Sequence, residues 1–562
     1  MSGPSRNRGL ATDVLILSVT WGCAVALAHP AGNFPLNDDW SYALAVRRLL
    51  EQGTFQPTGW TSMPLLSHVL WGALFCLPFG FSFNALRAST LSASLAGVLG
   101  VYLTAKALRQ PRWVALVAAF TLGFNPIYFA LSHTFMTDVP FTALTVLAVL
   151  CAVKSTEFGS GRSWWRGAAL ASLATLSRHV GVLLTPAFVV AAPAERPSNA
   201  RWAHRAAIIL APGLGALLAY AAVFGSSLDP RAWYLPVRVH LGQLARNPLA
   251  PMWNAVVLTL YLGLFTSPVS LARREAGLEP RPAALLKGRG RPFRIALWSG
   301  AVATIALLAT GRLIPVAQNG NVLVAQGIGP LTLRDMHILG LPHVTPLPTL
   351  LWAVVTALAA FFGLVMLQRV VCAARGTTQS DSALAPGGLQ RKTKAALVAA
   401  AAALGVPFLL LGGFDRYLLP LVPLAMLLML GEPEEQWNEL EKRRPSLGSI
   451  LAVGLLAVFS VASTHDYLSW NRARWQALSE LTSARSVSAR QIDGGFEFNG
   501  LSLYSQDYVR EESKSWWWVE DDSYVVAFGT IPGYEEAGRY CYSKWLPPRS
   551  GEIVILRRLP RH

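Results

Sequence analysis

Long apolar runs alternate with short basic or Pro- and Gly-containing breaks over most of this chain. The first run extends from about Thr12 to Ala28. Comparable runs follow at about 84–107, 113–131, 139–153, 206–224, 255–271, 295–314, 350–370, 395–413, 417–431 and 449–464. Most approach the ~20 apolar residues that a helix needs to cross a hydrocarbon core. Between the run ending at Val153 and the one starting near 206, a hairpin around Ser177-Arg178-His179 adds two crossings, for about thirteen in all. Two stretches in the first loop, about 33–83, have a different character. Trp40 to Leu50 has helical periodicity, and Pro64 to Phe79 is apolar but interrupted by His68 and Pro78. Both are expected to lie in the membrane interface rather than span it.

Beyond about His465 the pattern changes again. Charged residues, turn signals and short β-rich stretches appear, among them Ser523-Tyr524-Val525-Val526-Ala527-Phe528 and Glu552-Ile553-Val554-Ile555-Leu556. The expected architecture is therefore an α-helical polytopic membrane domain over 1–464, followed by a small extracytoplasmic α/β domain over 465–562. Trp516-Trp517-Trp518 in that domain fits a packed or interface-anchoring cluster better than a sugar platform.

Composition agrees with the pattern. Of 562 residues, 53% are hydrophobic and only 14% charged, with a mean hydropathy of +0.39; soluble domains carry roughly a quarter charged residues. The formal net charge of +17 raises the question of nucleic acid, which its distribution answers. Basic residues gather in short breaks such as Arg109-Gln110-Pro111-Arg112, Arg273-Arg274, Lys287-Gly288-Arg289-Gly290-Arg291 and Arg391-Lys392-Thr393-Lys394. That is the signature of cytoplasmic loops, so no nucleic-acid partner is expected. The same rule puts the N-terminus inside and the C-terminal domain outside, in what the Ala-, Arg- and Leu-rich composition marks as a bacterial inner membrane. Ala26-Leu27-Ala28 also resembles a signal-peptidase site, which leaves cleavage of the first run open. The five cysteines are scattered without a CxxC or Cys/His pairing, so neither a disulfide framework nor a zinc site is indicated.

Against this background the acids stand out. Asn37-Asp38-Asp39-Trp40-Ser41-Tyr42 follows the first run, and Asp138 sits in Met136-Thr137-Asp138-Val139-Pro140. Reading Pro64–Phe79 as interfacial brings Asp138 to the same face of the membrane as Asp38 and Asp39. Helix capping accounts for one acid of the pair, but not for three acids converging on one side. Carboxylates in a partly dry site suit general-base work on an attacking hydroxyl. Arg416, in the turn Gly413-Phe414-Asp415-Arg416-Tyr417, and Arg178-His179 at the hairpin tip are cations able to neutralise phosphate. The plainer alternatives are a salt bridge or snorkelling to headgroups.

Taken in order, these motifs resemble integral-membrane glycosyltransferases of the GT-C class, in the group related to protein mannosyltransferases and aminoarabinose transferases. The resemblance rests on Asp38-Asp39 with Tyr42, Ala85-Leu86-Arg87, Asn125-Pro126 with Asp138, and Arg416-Tyr417-Leu418-Leu419-Pro420. It implies a GT-C fold, a polyprenyl-phosphate-linked sugar donor and transfer on the extracytoplasmic face to a lipid, polysaccharide or protein acceptor. By that resemblance Asp38 is the first catalytic acid, Asp39 replaces the more usual Glu, and Asp138 is the second acid. Tyr42, Arg416, Tyr417, Arg178 and His179 are then expected to bind substrate; no HxxxH-type or clustered acidic metal site is evident in the sequence, so transfer without cofactor or metal is expected, although other GT-C enzymes use divalent ions. Related sequences often carry Lys before the proline opening the second interfacial helix. Here Met63 precedes Pro64, so Arg416 or Arg178 must supply that charge. The competing readings are a transporter or flippase of a lipid-linked saccharide, and a non-catalytic assembly subunit.

Overall fold

The computed structural model describes residues 4–192, 247–275, 305–375, 391–430 and 447–560 apart from 62, 308, 317–318, 510–513 and 516, with scattered residues between 204 and 246. Helix α1 (Pro4–Ala28) is followed by α2 (Asp39–Gln52), α3 (Leu66–Cys76), α4 (Phe83–Ala107), α5 (Arg112–Gly123), α6 (Pro126–Ser132), α7 (Asp138–Phe158), α8 (Gly161–Ser177) and α9 (Thr185–Ala191). Further along come α10 (Ala250–Glu275), α11 (Arg334–His337), α12 (Thr349–Arg375), α13 (Arg391–Leu411), α14 (Leu421–Met429), α15 (Leu447–Ser479) and α16 (Phe496–Leu503).

Among the described residues, seven helices are long and apolar enough to cross a membrane. An eighth crossing results if α5 and α6, bent by 62°, are one broken span. The break has a local cause. Asn125 accepts hydrogen bonds from the backbone N–H groups of Ile127 and Tyr128, and Pro126 occupies the first helical position, so a new helix starts there. The expected thirteen crossings are not reached among the described residues. Those at 206–224 and 295–314 fall only partly within them. The expected hairpin consists of α8 and the short apolar segment His179–Ala191. In the run 417–431 a 3-10 turn, Asp415–Leu418, takes up the first residues and leaves α14 only nine residues long.

The two interfacial helices of the first loop appear as expected, as α2 and α3. Eleven residues make α3 too short to cross. It buries His68, Val69, Gly72, Ala73 and Cys76, and exposes Leu70, Leu74 and, just past its end, Leu77. Gly72 is required by the packing, because a Cβ there would meet the Phe135 ring at 2.4 Å. Arg87, buried in α4, pins the loop from below. Its guanidinium donates to the carbonyls of His133 (2.6 Å), Gly32 (3.0 Å), Phe34 (3.3 Å) and Pro30. Deeper in the bundle α10 and α12 meet backbone to backbone, since a Cβ on Gly263 would lie 2.3 Å from the Gly363 nitrogen. Small residues permit such close approach of apolar helices.

The C-terminal part carries a four-stranded sheet of order β3-β4-β6-β5, with β3 (Ile492–Asp493) parallel to β4 (Tyr524–Ala527). Strand β6 (Pro548–Arg558) pairs antiparallel with both β4 and β5 (Tyr534–Trp545), and Val526 sits opposite Ile555. A two-stranded ribbon, β1 (Leu323–Val324) with β2 (Gly327–Ile328), lies earlier in the chain. The boundary expected at 464/465 falls inside α15, which runs unbroken from Leu447 to Ser479. Past that point the helix is tied to the sheet: the Asp466 carboxylate accepts from the N–H groups of Trp545 (2.6 Å) and Leu546 (3.0 Å).

Candidate active site

The turn before α2 sends three consecutive side chains in different directions. Asn37 has a left-handed backbone (φ 58°), a conformation that asparagine tolerates better than most residues because its short amide bonds locally. Its side-chain oxygen accepts from the Asp38 N–H at 3.0 Å, and its amide nitrogen donates to Asn321 at 3.3 Å. Asp38 occupies the capping position of α2, but its carboxylate makes no capping bond. Instead, one oxygen accepts from the Trp60 indole N–H at 3.1 Å and the other from Arg416 at 3.0 Å.

Asp39 points the other way. It is 1% exposed and accepts from the N–H groups of Leu36 (2.7 Å) and Phe135 (3.0 Å). Burial pushes its carboxyl up to about 8, against the opposing pull of those bonds and of Arg87. The expectation of a paired dyad is thus not what the geometry delivers. Asp38 faces the site, whereas Asp39 fastens the loop to the segment that carries Asp138.

Arg416 reaches Asp38 because its own turn is fixed by the preceding residue. Both Asp415 oxygens accept from Val322 N–H, and the carboxylate also accepts from Leu323 N–H (2.8 Å) and Arg416 N–H (2.8 Å). Burial of Asp415 raises it to about 6, with those backbone donors opposing the rise. The Arg416 side chain is 5% exposed, and its Nε and Nη1 have no hydrogen-bond partner. Buried guanidinium N–H groups without acceptors are costly, so these two are the chief unsatisfied donors at the site.

Asp138 opens α7 and pairs with Arg178, which also donates to the Thr137 hydroxyl at 3.4 Å. The second Asp138 oxygen is buried without a partner. Tyr417 joins the two ion pairs. Its ring lies 5.3 Å from the Arg178 guanidinium and 5.6 Å from that of Arg416, within cation–π range of both. Tyr42 is buried on α2 within the field of Asp38, Arg416, Asp138 and Arg178, and burial raises its hydroxyl well above its ordinary range.

The structure therefore gathers Asp38, Tyr42, Asp138, Arg178, Arg416 and Tyr417 at one end of the helical bundle. His179 is left out, since it opens a 3-10 turn with its side chain exposed. Met63, at the position where lysine was expected, accepts from the Thr137 hydroxyl at 3.5 Å. The missing lysine thus falls beside Arg178, which supplies a cation to the same neighbourhood. Sequence reasoning missed Trp60. The only available signal was an isolated tryptophan in the polar loop Pro57-Thr58-Gly59-Trp60-Thr61.

Of the packed aromatic cluster expected at 516–518, Trp517 and Trp518 are each 3% exposed and Trp516 lies outside the described residues. They join Trp40, Trp60 and Phe496 in one buried cluster. Among the described residues, no group of three His, Cys, Asp or Glu side chains forms a metal-binding cluster.

Comparison with known proteins agrees with part of this picture. Residues 63–224 match the family of dolichyl-phosphate-mannose-protein mannosyltransferases. The resemblance to membrane glycosyltransferases is borne out over that segment, which contains Arg87, Asn125, Asp138 and Arg178 but neither Asp38 nor Arg416. No curated protein matches the chain. Among solved structures, the oligosaccharyltransferase of Archaeoglobus fulgidus in its apo form superposes with a TM-score of 0.43 at 14% identity, over 90% of this chain and 62% of that one. This chain thus spans less than two thirds of the archaeal protein's length. ArnT from Cupriavidus metallidurans bound to undecaprenyl phosphate gives a TM-score of 0.35 at 14% identity, over 85% of this chain and 81% of that one.

Proposed function

We propose that this chain is a glycosyltransferase that moves a sugar from a polyprenyl-phosphate donor to a hydroxyl or amine of a cell-envelope acceptor, on the extracytoplasmic face of the membrane. The observation that carries this reading is the Asp38–Arg416 pair, a partly accessible carboxylate 3.0 Å from a buried guanidinium that has two N–H groups unengaged. A base and a phosphate ligand side by side are what transfer from a sugar phosphate requires.

In the proposed step Asp38 takes the proton from the acceptor O–H, and the acceptor oxygen attacks the anomeric carbon on the face opposite the phosphate. The bond from that carbon to the phosphate oxygen breaks, and the polyprenyl phosphate leaves with the electron pair, so the anomeric configuration inverts. Arg416 meets the growing phosphate charge through Nε and Nη1 without letting go of Asp38, which its Nη2 holds. Such a contact strengthens as charge develops, and so stabilises the transition state more than the bound donor. Asp138, held by Arg178, offers its free oxygen to the acceptor. The match of residues 63–224 to dolichyl-phosphate-mannose-protein mannosyltransferases supports a lipid-phosphate donor.

The test is sugar transfer by purified protein in lipid, from a panel of radiolabelled polyprenyl-phosphate sugars to envelope acceptors. Wild type should transfer label from at least one donor. Asp38→Asn, which preserves shape, should lose activity by roughly a hundredfold or more while remaining folded. Full activity in that variant refutes the role of Asp38. Movement of a lipid-linked saccharide across the bilayer with no transfer would make the chain a flippase.

A further inference from the structure

We infer that Trp60 is a positioning residue for Asp38, and that the C-terminal part of the chain holds its indole in place. The inference rests on the reading of Asp38 as the base, and it adds a role for a region whose part in that chemistry is otherwise undefined.

The argument begins with the contact itself. Trp60 donates its indole N–H to the Asp38 oxygen that Arg416 does not hold. With both oxygens engaged by donors on different elements, the carboxylate is fixed in rotation as well as in place. A base must sit within hydrogen-bond reach of the proton it takes, so this fixation bears directly on rate.

The indole is itself clamped. On one side, Ser41 in α2 bonds to the hydroxyls of Thr58 and Thr61, which anchors the loop immediately around Trp60. On the other side the C-terminal part walls the ring in. Trp518 meets it edge-on at 5.1 Å, and Phe496 lies 5.8 Å away. Trp518 adopts a left-handed backbone (φ 61°), which a bulky residue keeps only where its surroundings determine it. A second tie runs through Glu497, fully buried and paired with Arg474 at 2.7 Å. It accepts the Asn37 N–H at 3.1 Å, one residue before Asp38. The turn and the indole are thus both held by Phe496, Glu497 and Trp518, and Gly500 makes room for the approach, since a Cβ there would strike Trp40 at 2.3 Å.

Trp60→Phe separates hydrogen bonding from packing, because it keeps an aromatic ring and removes the N–H. Expected is a fall in kcat of roughly tenfold or more with the KM for donor unchanged. Trp518→Leu should act in the same direction through loss of the clamp. A readout independent of transfer comes from 15N-indole labelling of the whole protein in micelles. The resonance missing in Trp60→Phe is that of Trp60, and in Asp38→Asn it should move upfield as the acceptor loses its charge. Wild-type kcat in Trp60→Phe, or an indole resonance indifferent to Asp38→Asn, overturns the inference. Wild-type kcat in Trp518→Leu overturns the part assigned to the C-terminal region. If wild type transfers nothing, the proposed function fails, while the resonance still decides whether Trp60 holds Asp38.

Discussion

Replacing Asp39 with Asn removes one ionisable group at nearly constant shape, and the consequence for stability can be worked from its surroundings. The carboxyl is buried, accepts two backbone N–H groups and is raised to about 8. In the unfolded chain it titrates near ~3.9. Between those values the unfolded state has released its proton and the folded state has not. Stability from this group is therefore full below the unfolded value and declines as pH rises, by about 1.4 kcal/mol per unit, until the folded carboxyl ionises near 8. From pH 5 to pH 7 the decline is about 3 kcal/mol. The Asn variant has no proton to lose there. It pays instead a constant offset of about 1–3 kcal/mol, because an amide N–H must face one of the backbone donors. Urea unfolding in micelles at pH 5, 6 and 7 should thus show the gap between wild type and Asp39→Asn moving in favour of the variant as pH rises. A gap that stays constant, or moves the other way, refutes the reasoning and would mean that Arg87 and the backbone donors keep Asp39 ionised. Because Asp39 faces away from Arg416, the variant should retain sugar transfer, in contrast to Asp38→Asn.

Arg416→Lys keeps the charge but loses the fork that holds Asp38 with one nitrogen and leaves two others free, so binding of polyprenyl phosphate, read by a lipid-displacement assay, should weaken roughly tenfold. Unchanged affinity would remove Arg416 from the phosphate site. Arg178→Met should destabilise the fold by about 3–5 kcal/mol by leaving the Asp138 carboxylate buried and unpaired. Adding Asp138→Asn should recover most of that loss in thermal unfolding without restoring transfer.

The membrane architecture was readable because apolar run length and basic loops act locally, residue by residue. Recognising Pro64–Phe79 as too interrupted to span was enough to place Asp138 beside Asp38. Arg178 and Arg416 were readable as cations at the same face. What could not be read was direction. Asp38 and Asp39 are chemically identical neighbours, and their divergence depends on the left-handed Asn37, itself held by Glu497 and Asn321. Those contacts span some 460 and 284 positions, beyond any local pattern. Trp60 was hidden for the same reason, since nothing in its loop signals a cluster completed by Phe496 and Trp518. The start of the run 417–431 was misplaced, because hydropathy does not distinguish the turn Asp415–Leu418, fixed by a buried carboxylate, from the start of a helix.

The pairing pattern of the site has a consequence for the proposed step. Asp38 and Asp138 face Arg416 and Arg178, so the charges of the resting site sum to zero. Arg178 holds Asp138 and Thr137 through Nη1, while the Nε and Nη1 of Arg416 are buried without a partner. A phosphodiester donor brings one negative charge, which falls to Arg416. As transfer proceeds Asp38 gains a proton and loses its charge, while the leaving phosphate gains one. The sum is unchanged across the step, and negative charge shifts only from the Asp38 side of Arg416 to its Nε and Nη1 side. In a buried setting, where an uncompensated charge costs several kcal/mol, that exchange across a single guanidinium means the transfer step creates no charge beyond the one the donor brings. It also gives a use to the buried, unpartnered Nε and Nη1 of Arg416, which lie beside the base.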